Sequence, residues 1–152
     1  MNPKVLYVCS EVFPLLKTGG LADVSAGLPP ALQAQGADVR LLLPAFPGVV
    51  AGVTPEGPTL LVPAGGSPGL PAGLGPQAVS AHGPTPWLRA GCITESGMPV
   101  WLLHAPGLYE RGGNPYLDAS GQPWPDSAEQ FAWLGWAAAL LGTGLSAAWR
   151  PD

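Results

Sequence analysis

The first 44 residues limit the possible folds more than any other stretch. Residues 4–10, Lys-Val-Leu-Tyr-Val-Cys-Ser, are a short apolar run rich in β-formers. Such a run near an amino terminus predicts a strand buried on both faces, as in a parallel sheet. A loop over residues 11–20 follows, and Pro14 stops the strand from simply continuing. Leu21, Val24, Leu28 and Leu32 then recur at three- and four-residue spacing, the pattern of an amphipathic helix facing a core. Pro29 and Pro30 lie inside it. Pro29 removes an amide donor and crowds the carbonyl of Ser25, so a kink is expected there. Gly36 stands where a helix-ending glycine belongs. Residues 38–43 make a second strand before Pro44. Strand, helix and strand in this order predict a βαβ unit.

Downstream, the chain changes character. It holds 22 glycines and 20 prolines in 152 residues, and 16 of the 33 residues from 44 to 76 are one or the other. A share that high without a period usually marks disorder, but 47% hydrophobic residues and a net charge of −4 argue against a wholly disordered chain. The reconciling expectation is a globular unit with an excursion over residues 44–76, mostly loop, holding one short strand at 59–62. Residues 78–81, 91–94 and 99–104 read as further strands, the last two joined as a hairpin through residues 95–98. A polar loop covers 106–125. Asp126 followed by Glu129 has the spacing of a capping box. The helix after it places Phe131, Leu134, Ala138 and Leu141 on one face and Trp133, Trp136 and Leu140 on another, so it should be buried on more than one side and end near Gly142 and Gly144.

Composition also removes several classes of function. No apolar run approaches the roughly 18 residues of a membrane span, and residues 1–9, with one lysine, a short apolar run and no cleavage-site pattern, are not expected to be a secretory signal. Six basic residues dispersed over the chain make no phosphate-tracking patch, so nucleic acid is not an expected partner. Cys9 and Cys92 are far apart and form no Cys-x-x-Cys pair, which suits free thiols in a cytoplasm. His82 and His104 lack metal-ligand spacing; neither metal nor cofactor is expected. Nor does any serine, cysteine and histidine cluster suggest acyl transfer.

The loop between the first strand and the first helix is the most informative segment, although on spacing alone a Gly-Gly turn into a helix is more often turn chemistry than a phosphate site. In open parallel sheets, ligands bind beyond the carboxyl ends of the strands. Here the loop reads Lys17-Thr18-Gly19-Gly20 and runs into Leu21-Ala22-Asp23-Val24. Paired glycines let a backbone approach a ligand and can adopt positive φ. The free amides and positive dipole end of the helix favour an anion, and Lys17 adds a full charge. Asp23 can accept a hydrogen bond from a sugar hydroxyl or simply complement the dipole. The spacing is neither a dinucleotide fingerprint nor a P-loop, because Lys17-Thr18 precedes the glycines. Glu11 can line the cleft or position the loop.

Residues 4–47 resemble the amino terminus of bacterial glycogen synthases, ADP-glucose-dependent retaining glucosyltransferases akin to starch synthases. The most specific block is Lys17-Thr18-Gly19-Gly20-Leu21-Ala22-Asp23. Residues 102–116, 130–136 and the closing Trp149-Arg150-Pro151-Asp152 resemble the same family in order. The resemblance implies an α/β fold: an incomplete Rossmann-like parallel sheet, the opening part of the first domain of a two-domain (GT-B type) glycosyltransferase. On this resemblance the second domain is expected to lie outside these residues, and the family's histidine-containing motif would start beyond Asp152.

Carried over residue by residue, the resemblance implies that Lys17 contacts ADP-glucose. Gly19 and Gly20 would approach its phosphate and glucosyl region, Asp23 would lie at the glucosyl transfer site as a catalytic residue, and Tyr116 would meet an α-1,4-glucan acceptor. The plainer alternatives are a dipole-complementing carboxylate at Asp23 and loop packing at Tyr116. Two other functions compete: a non-catalytic sugar-phosphate or glucan-binding module, and a sucrose synthase-like transferase. One lysine and two glycine amides are a thin supply for stabilising departing ADP, so the chain alone is expected to be inactive.

Overall fold

The computed structural model describes residues 2–65, 70, 75–76 and 85–152. Strand β1 (Lys4–Val8) leads through helix α1 (Gly20–Ala34) to β2 (Asp38–Pro44), and a short helix α2 (Pro47–Ala51) precedes β3 (Val53–Leu61). Strands β4 (Trp87–Ile93) and β5 (Pro99–His104) then form the expected hairpin, and α3 (Ser127–Gly142) follows a long loop. The five strands form one sheet in the order β1-β2-β5-β4-β3. Strands β1, β2 and β5 are mutually parallel, whereas β4 is antiparallel to both β5 and β3. The sheet is therefore mixed where a parallel one was expected. The turn between β4 and β5 is too short for anything but an antiparallel pair.

Burial of β2 explains the arrangement. Its Leu41, Leu42 and Leu43 are all sealed from solvent, so both faces of the strand must be covered. Helix α1 packs against β2, and α3 packs against β1 and β2. On α3 the buried set is Gln130, Trp133, Leu134, Trp136, Ala137, Leu140 and Leu141, the wide apolar circumference read from the sequence. Phe131 is the exception and remains exposed.

Helix α1 overturns part of the pattern. Leu21, Val24 and Leu28 are exposed, Val24 at 54%, while Ala22, Ser25 and Pro29 face the sheet. The buried stripe lies one residue further along the chain than the large apolar residues suggested. Small side chains let the helix axis approach the sheet closely, which bulky ones on that face would prevent. The helix also continues through Pro29-Pro30 to Ala34, so the lost hydrogen bond to the Ser25 carbonyl does not end it. It closes as anticipated at Gly36, which has φ of +93°. The Gly36 amide donates to Gln33 and the Ala37 amide to Leu32, the paired bonds of a Schellman ending.

Two further expectations need correction. Residues 47–61 are α2 and β3 rather than loop with a strand at 59–62. Prolines are tolerated there because β3 is the outer strand, and its register shifts between Pro55 and Thr59. The proposed strand at 78–81 lies outside the described residues, as does much of the excursion beyond residue 65. Asp126 does precede α3, but its carboxylate makes no cap hydrogen bond to the helix backbone. It accepts instead from Arg111, at 2.8 and 2.6 Å, and from Gln130 at 3.2 Å.

The chain closes by returning to its start. The Asp152 amide donates to the Lys4 carbonyl at 3.1 Å, and the Trp149 indole donates to Asp38 at 2.7 Å.

Gly91 is the tightest backbone approach in the sheet: a Cβ there would lie 2.5 Å from the Thr54 carbonyl oxygen. Gly91→Ala should destabilise the chain by about 1–3 kcal/mol through overpacking. Thermal unfolding followed by circular dichroism checks this, and an unchanged midpoint would contradict the close packing of β3 on β4.

Candidate functional site

The site lies where the parallel strands end. Ser10 and Glu11 lie just beyond Cys9, which follows β1, and both are buried. Glu11 is only 1% exposed. Its Oε2 accepts from the Thr18 amide at 2.7 Å and from the Thr18 hydroxyl at 2.6 Å. Of the two roles open to Glu11, the geometry selects loop positioning. Two hydrogen bonds from the amide and hydroxyl of one residue to a single carboxylate oxygen hold that residue's backbone firmly. The same contacts occupy both donors of Thr18, so a ligand meets neither. Two further backbone bonds secure the loop: Leu16 donates to Val12 at 2.9 Å, and Phe13 donates to Ala22 at 3.1 Å.

Gly19 and Gly20 come next. Gly19 has φ −160° and ψ −162°, ordinary extended backbone, and Gly20 opens α1. Neither has positive φ. A Cβ on either would meet no atom of another described residue within 4 Å. Turn geometry therefore does not require these glycines, contrary to one of the reasons given for them. What they leave is open space over the first turn of α1, where unpaired amides and the positive dipole end point outward.

Lys17 and Asp23 flank that space. The Lys17 ammonium donates to both carboxylate oxygens of Asp23, each at 2.8 Å, and sits 5.6 Å from the Phe13 ring centroid. The expected mobile cation is thus engaged by the carboxylate in the first turn of α1. Both side chains remain well exposed.

The tertiary structure also brings Tyr116 to this end of the sheet. Its hydroxyl lies 2.9 Å from the Ser10 hydroxyl, and its ring stacks on Phe131 with centroids 6.1 Å apart. Asn114 shapes the local backbone by accepting from the Tyr116 and Leu117 amides, both at 2.9 Å. Behind it, the Arg111 guanidinium lies 3.7 Å from the Trp124 ring centroid while holding Asp126. That ion pair keeps the Asp126 carboxyl below its usual range, the hydrogen bond from Arg111 being the main cause.

Ser10 and Phe131 were not among the residues picked from the sequence. Ser10 could have been found as the polar residue ending an apolar strand run. Phe131 looked like a core residue, because only the loop's path shows that its ring lies under Tyr116.

His104 ends β5 as a structural residue. It stacks on Trp87 with centroids 4.9 Å apart, and its Nδ1 is 3.7 Å from Glu110. Burial pushes its pKa below the ordinary value, an effect that Glu110 partly offsets. His82 lies outside the described residues.

With the geometry in place, comparison decides the family. The profile of the starch synthase catalytic domain matches residues 4–152. The chain belongs to that family. It is 54% identical over 149 residues to a glycogen synthase of Albidiferax ferrireducens and 45% identical over 149 residues to one of Yersinia pseudotuberculosis. In both cases 98% of the chain is covered, but only 28% and 27% of those relatives. The fold matches the catalytic domain of starch synthase IV from Arabidopsis thaliana, solved with ADP and acarbose. That match has a TM-score of 0.66 and 22% identity, covering all of this chain and 27% of the other. The chain thus spans little more than a quarter of the length of these relatives and shares the α/β fold of the corresponding part of the starch synthase domain. Among the described residues no helix is long and apolar enough to cross a membrane.

The lowered pKa of His104 sets a pH dependence. Below the ordinary imidazole value of 6.5, the unfolded chain takes up the proton before the folded chain does. Stability therefore rises with pH across this window and is lost as pH falls through it. Chemical denaturation between pH 5 and pH 8, values spanning the usual histidine range, should show that slope, and His104→Phe should flatten it. An unchanged slope would mean that other groups govern the window.

Proposed function

We propose that this chain carries the donor-facing loop and an acceptor-side tyrosine of an enzyme that transfers glucose from ADP-glucose to the non-reducing end of an α-1,4-glucan, with retention. The observation that carries this reading is the open space above Gly19 and Gly20 at the first turn of α1, flanked by Lys17. A diphosphate there would meet outward amides, the helix dipole and one ammonium, the chemistry that anions select. Asp23 stands within reach of the same space and suits hydroxyls of the glucosyl unit at the transfer position. Tyr116 offers an aromatic face and a hydroxyl edge, which suits a sugar ring of the glucan. Relatives named glycogen synthase, and a structural neighbour solved with ADP and acarbose, support both partners. A cytoplasmic setting belongs to the same reading, since Cys9 and Cys92 are both free thiols.

The chain's residues divide the work as follows. Glu11 fixes Thr18 and so fixes the direction of the glycine amides. Lys17 neutralises part of the charge on the departing diphosphate. Ser10 and Phe131 hold the Tyr116 ring at the mouth. Lys17 is the one cation on this loop, whereas stabilising the departing ADP calls for several donors. The reading therefore assigns this chain binding without turnover, with the remaining charge supplied from outside residues 1–152.

A non-catalytic sugar-phosphate or glucan-binding module would use the same surface, and a sucrose synthase-like transferase would prefer a different donor. Calorimetric titration of the chain with ADP-glucose, UDP-glucose and a maltooligosaccharide separates them. ADP-glucose should bind more tightly than UDP-glucose, and Lys17→Ala should weaken ADP-glucose binding by roughly ten-fold, the scale of one charge-assisted hydrogen bond. Equal binding of both nucleotides would favour the other transferase. Glucan binding without nucleotide binding would favour the module. Glucose transfer to glycogen by the chain alone would overturn the division of labour.

A further inference from the structure

A second cavity lies toward the opposite end of the sheet from the Lys17 loop. It encloses about 270 Å³ against the amino ends of β2 and β5, beside the segment that follows α3. Small residues leave the hollow: Ala90 and Gly91 on β4, and Ala148 beyond α3. The polar groups around it are short of partners. Ser146 lines the cavity and is only 4% exposed, yet its hydroxyl makes no hydrogen bond to another described residue. Trp101, also in the lining, is 2% exposed, and its indole N–H has no acceptor. Arg40 Nε is buried without a hydrogen bond as well. The Arg40 guanidinium stacks 4.7 Å from the Trp149 ring centroid, and its ion pair with Asp38 is long at 3.8 Å. The other Asp38 oxygen is taken by the Trp149 indole. Burial disfavours the charge on Arg40, and Asp38 only partly offsets that.

We propose that this cavity binds a linear amino acid, its carboxylate on Arg40 and Ser146 and its ammonium toward Glu56. Arg40 and Glu56 are the charged residues of the lining, and Glu56 has no ion-pair partner among the described residues. Strands β2 and β3, which carry them, are separated by β5 and β4, so their backbones stand about 14 Å apart at the usual strand spacing. The cavity therefore has a cation at one end and an anion at the other. A simple anion would meet Asp38 and Glu56 as well as Arg40, and a simple cation would meet Arg40. A zwitterion meets each end with the opposite charge. The planar guanidinium can give two parallel N–H bonds to a carboxylate. Donors buried without an acceptor cost free energy, and a ligand oxygen relieves that cost. An α-amino acid crowds both charges onto one carbon, so several carbons between them suit the separation better. Gly19 and Gly20 take no part, and this inference stands or falls separately from the ADP-glucose reading.

The test titrates γ-aminobutyrate, butyrate, butylamine and maltose into the ¹⁵N-labelled 152-residue chain, following the Trp101 indole and Ser146 amide resonances. γ-Aminobutyrate should bind about two- to five-fold more tightly than butyrate, the scale of an exposed charge contact, and butylamine should bind more weakly than either. Glu56→Gln should remove the advantage of γ-aminobutyrate without weakening butyrate. Arg40→Gln should weaken both carboxylates by about ten-fold, the scale of a hydrogen bond to a charged group. Glu56 is exposed, so its variant keeps the test intact should Arg40→Gln loosen the packing on Trp149. Equal binding of γ-aminobutyrate and butyrate, or an advantage that survives Glu56→Gln, would overturn the assignment of the two ends. Maltose binding more tightly than γ-aminobutyrate would give the cavity to neutral sugars and overturn the ligand class. No shift with any of the four would overturn the site.

Discussion

Burial of the leucines of β2 is the constraint on which the rest depends. Leu41, Leu42 and Leu43 are sealed, and a strand of leucines can lie in water on neither face. It is therefore flanked by β1 and β5 within the sheet and covered by α1 and α3. Once β1, β2 and β5 run parallel, their carboxyl ends emerge on one side. Ser10 and Glu11 follow from β1, and the loop bearing Tyr116 lies between β5 and α3. The candidate site is thus a product of strand direction.

Within the site, one buried carboxylate organises the loop. Glu11 binds Thr18 twice, leaving Gly19 and Gly20 extended with clear space above them. A flexible glycine pair would lose conformational freedom on meeting a ligand, whereas a held one has already lost it on folding. Lys17 and Asp23 meet each other across one edge of that space. Tyr116 is held in a comparable way by Ser10 and Phe131. On both sides, a buried or stacked partner positions the residue that faces outward.

Much of this was legible in the chain. The position of the first strand, the glycine endings at Gly36 and Gly144, the β-hairpin and the broad burial of the last helix follow from local patterns that tertiary contacts reinforce. The burial expected on both faces of the first strand does not occur: β1 is an edge strand with no fully buried residue, and its Val8 is exposed. The buried stripe of α1 was not legible either. Large apolar residues predict burial on average, but Ala22, Ser25 and Pro29 win because helix-to-sheet distance limits side-chain size. The prolines of β3 were misleading for a similar reason. They forbid a central strand but not an outer one, and outer position is a property of the sheet. Asp126 has the spacing of a cap, yet Arg111 reaches it from a loop whose path no local rule gives.

The sequence by itself determined the βαβ opening, the Lys17-to-Asp23 block and the family, because these depend on short-range spacing and on residue identity. Only the tertiary structure decided which stripe of α1 is buried, that Ser10 meets Tyr116 across 106 positions of chain, and that Lys17 is paired with Asp23. Those outcomes depend on distances between side chains brought together by packing, and periodicity along one segment carries no information about its partner.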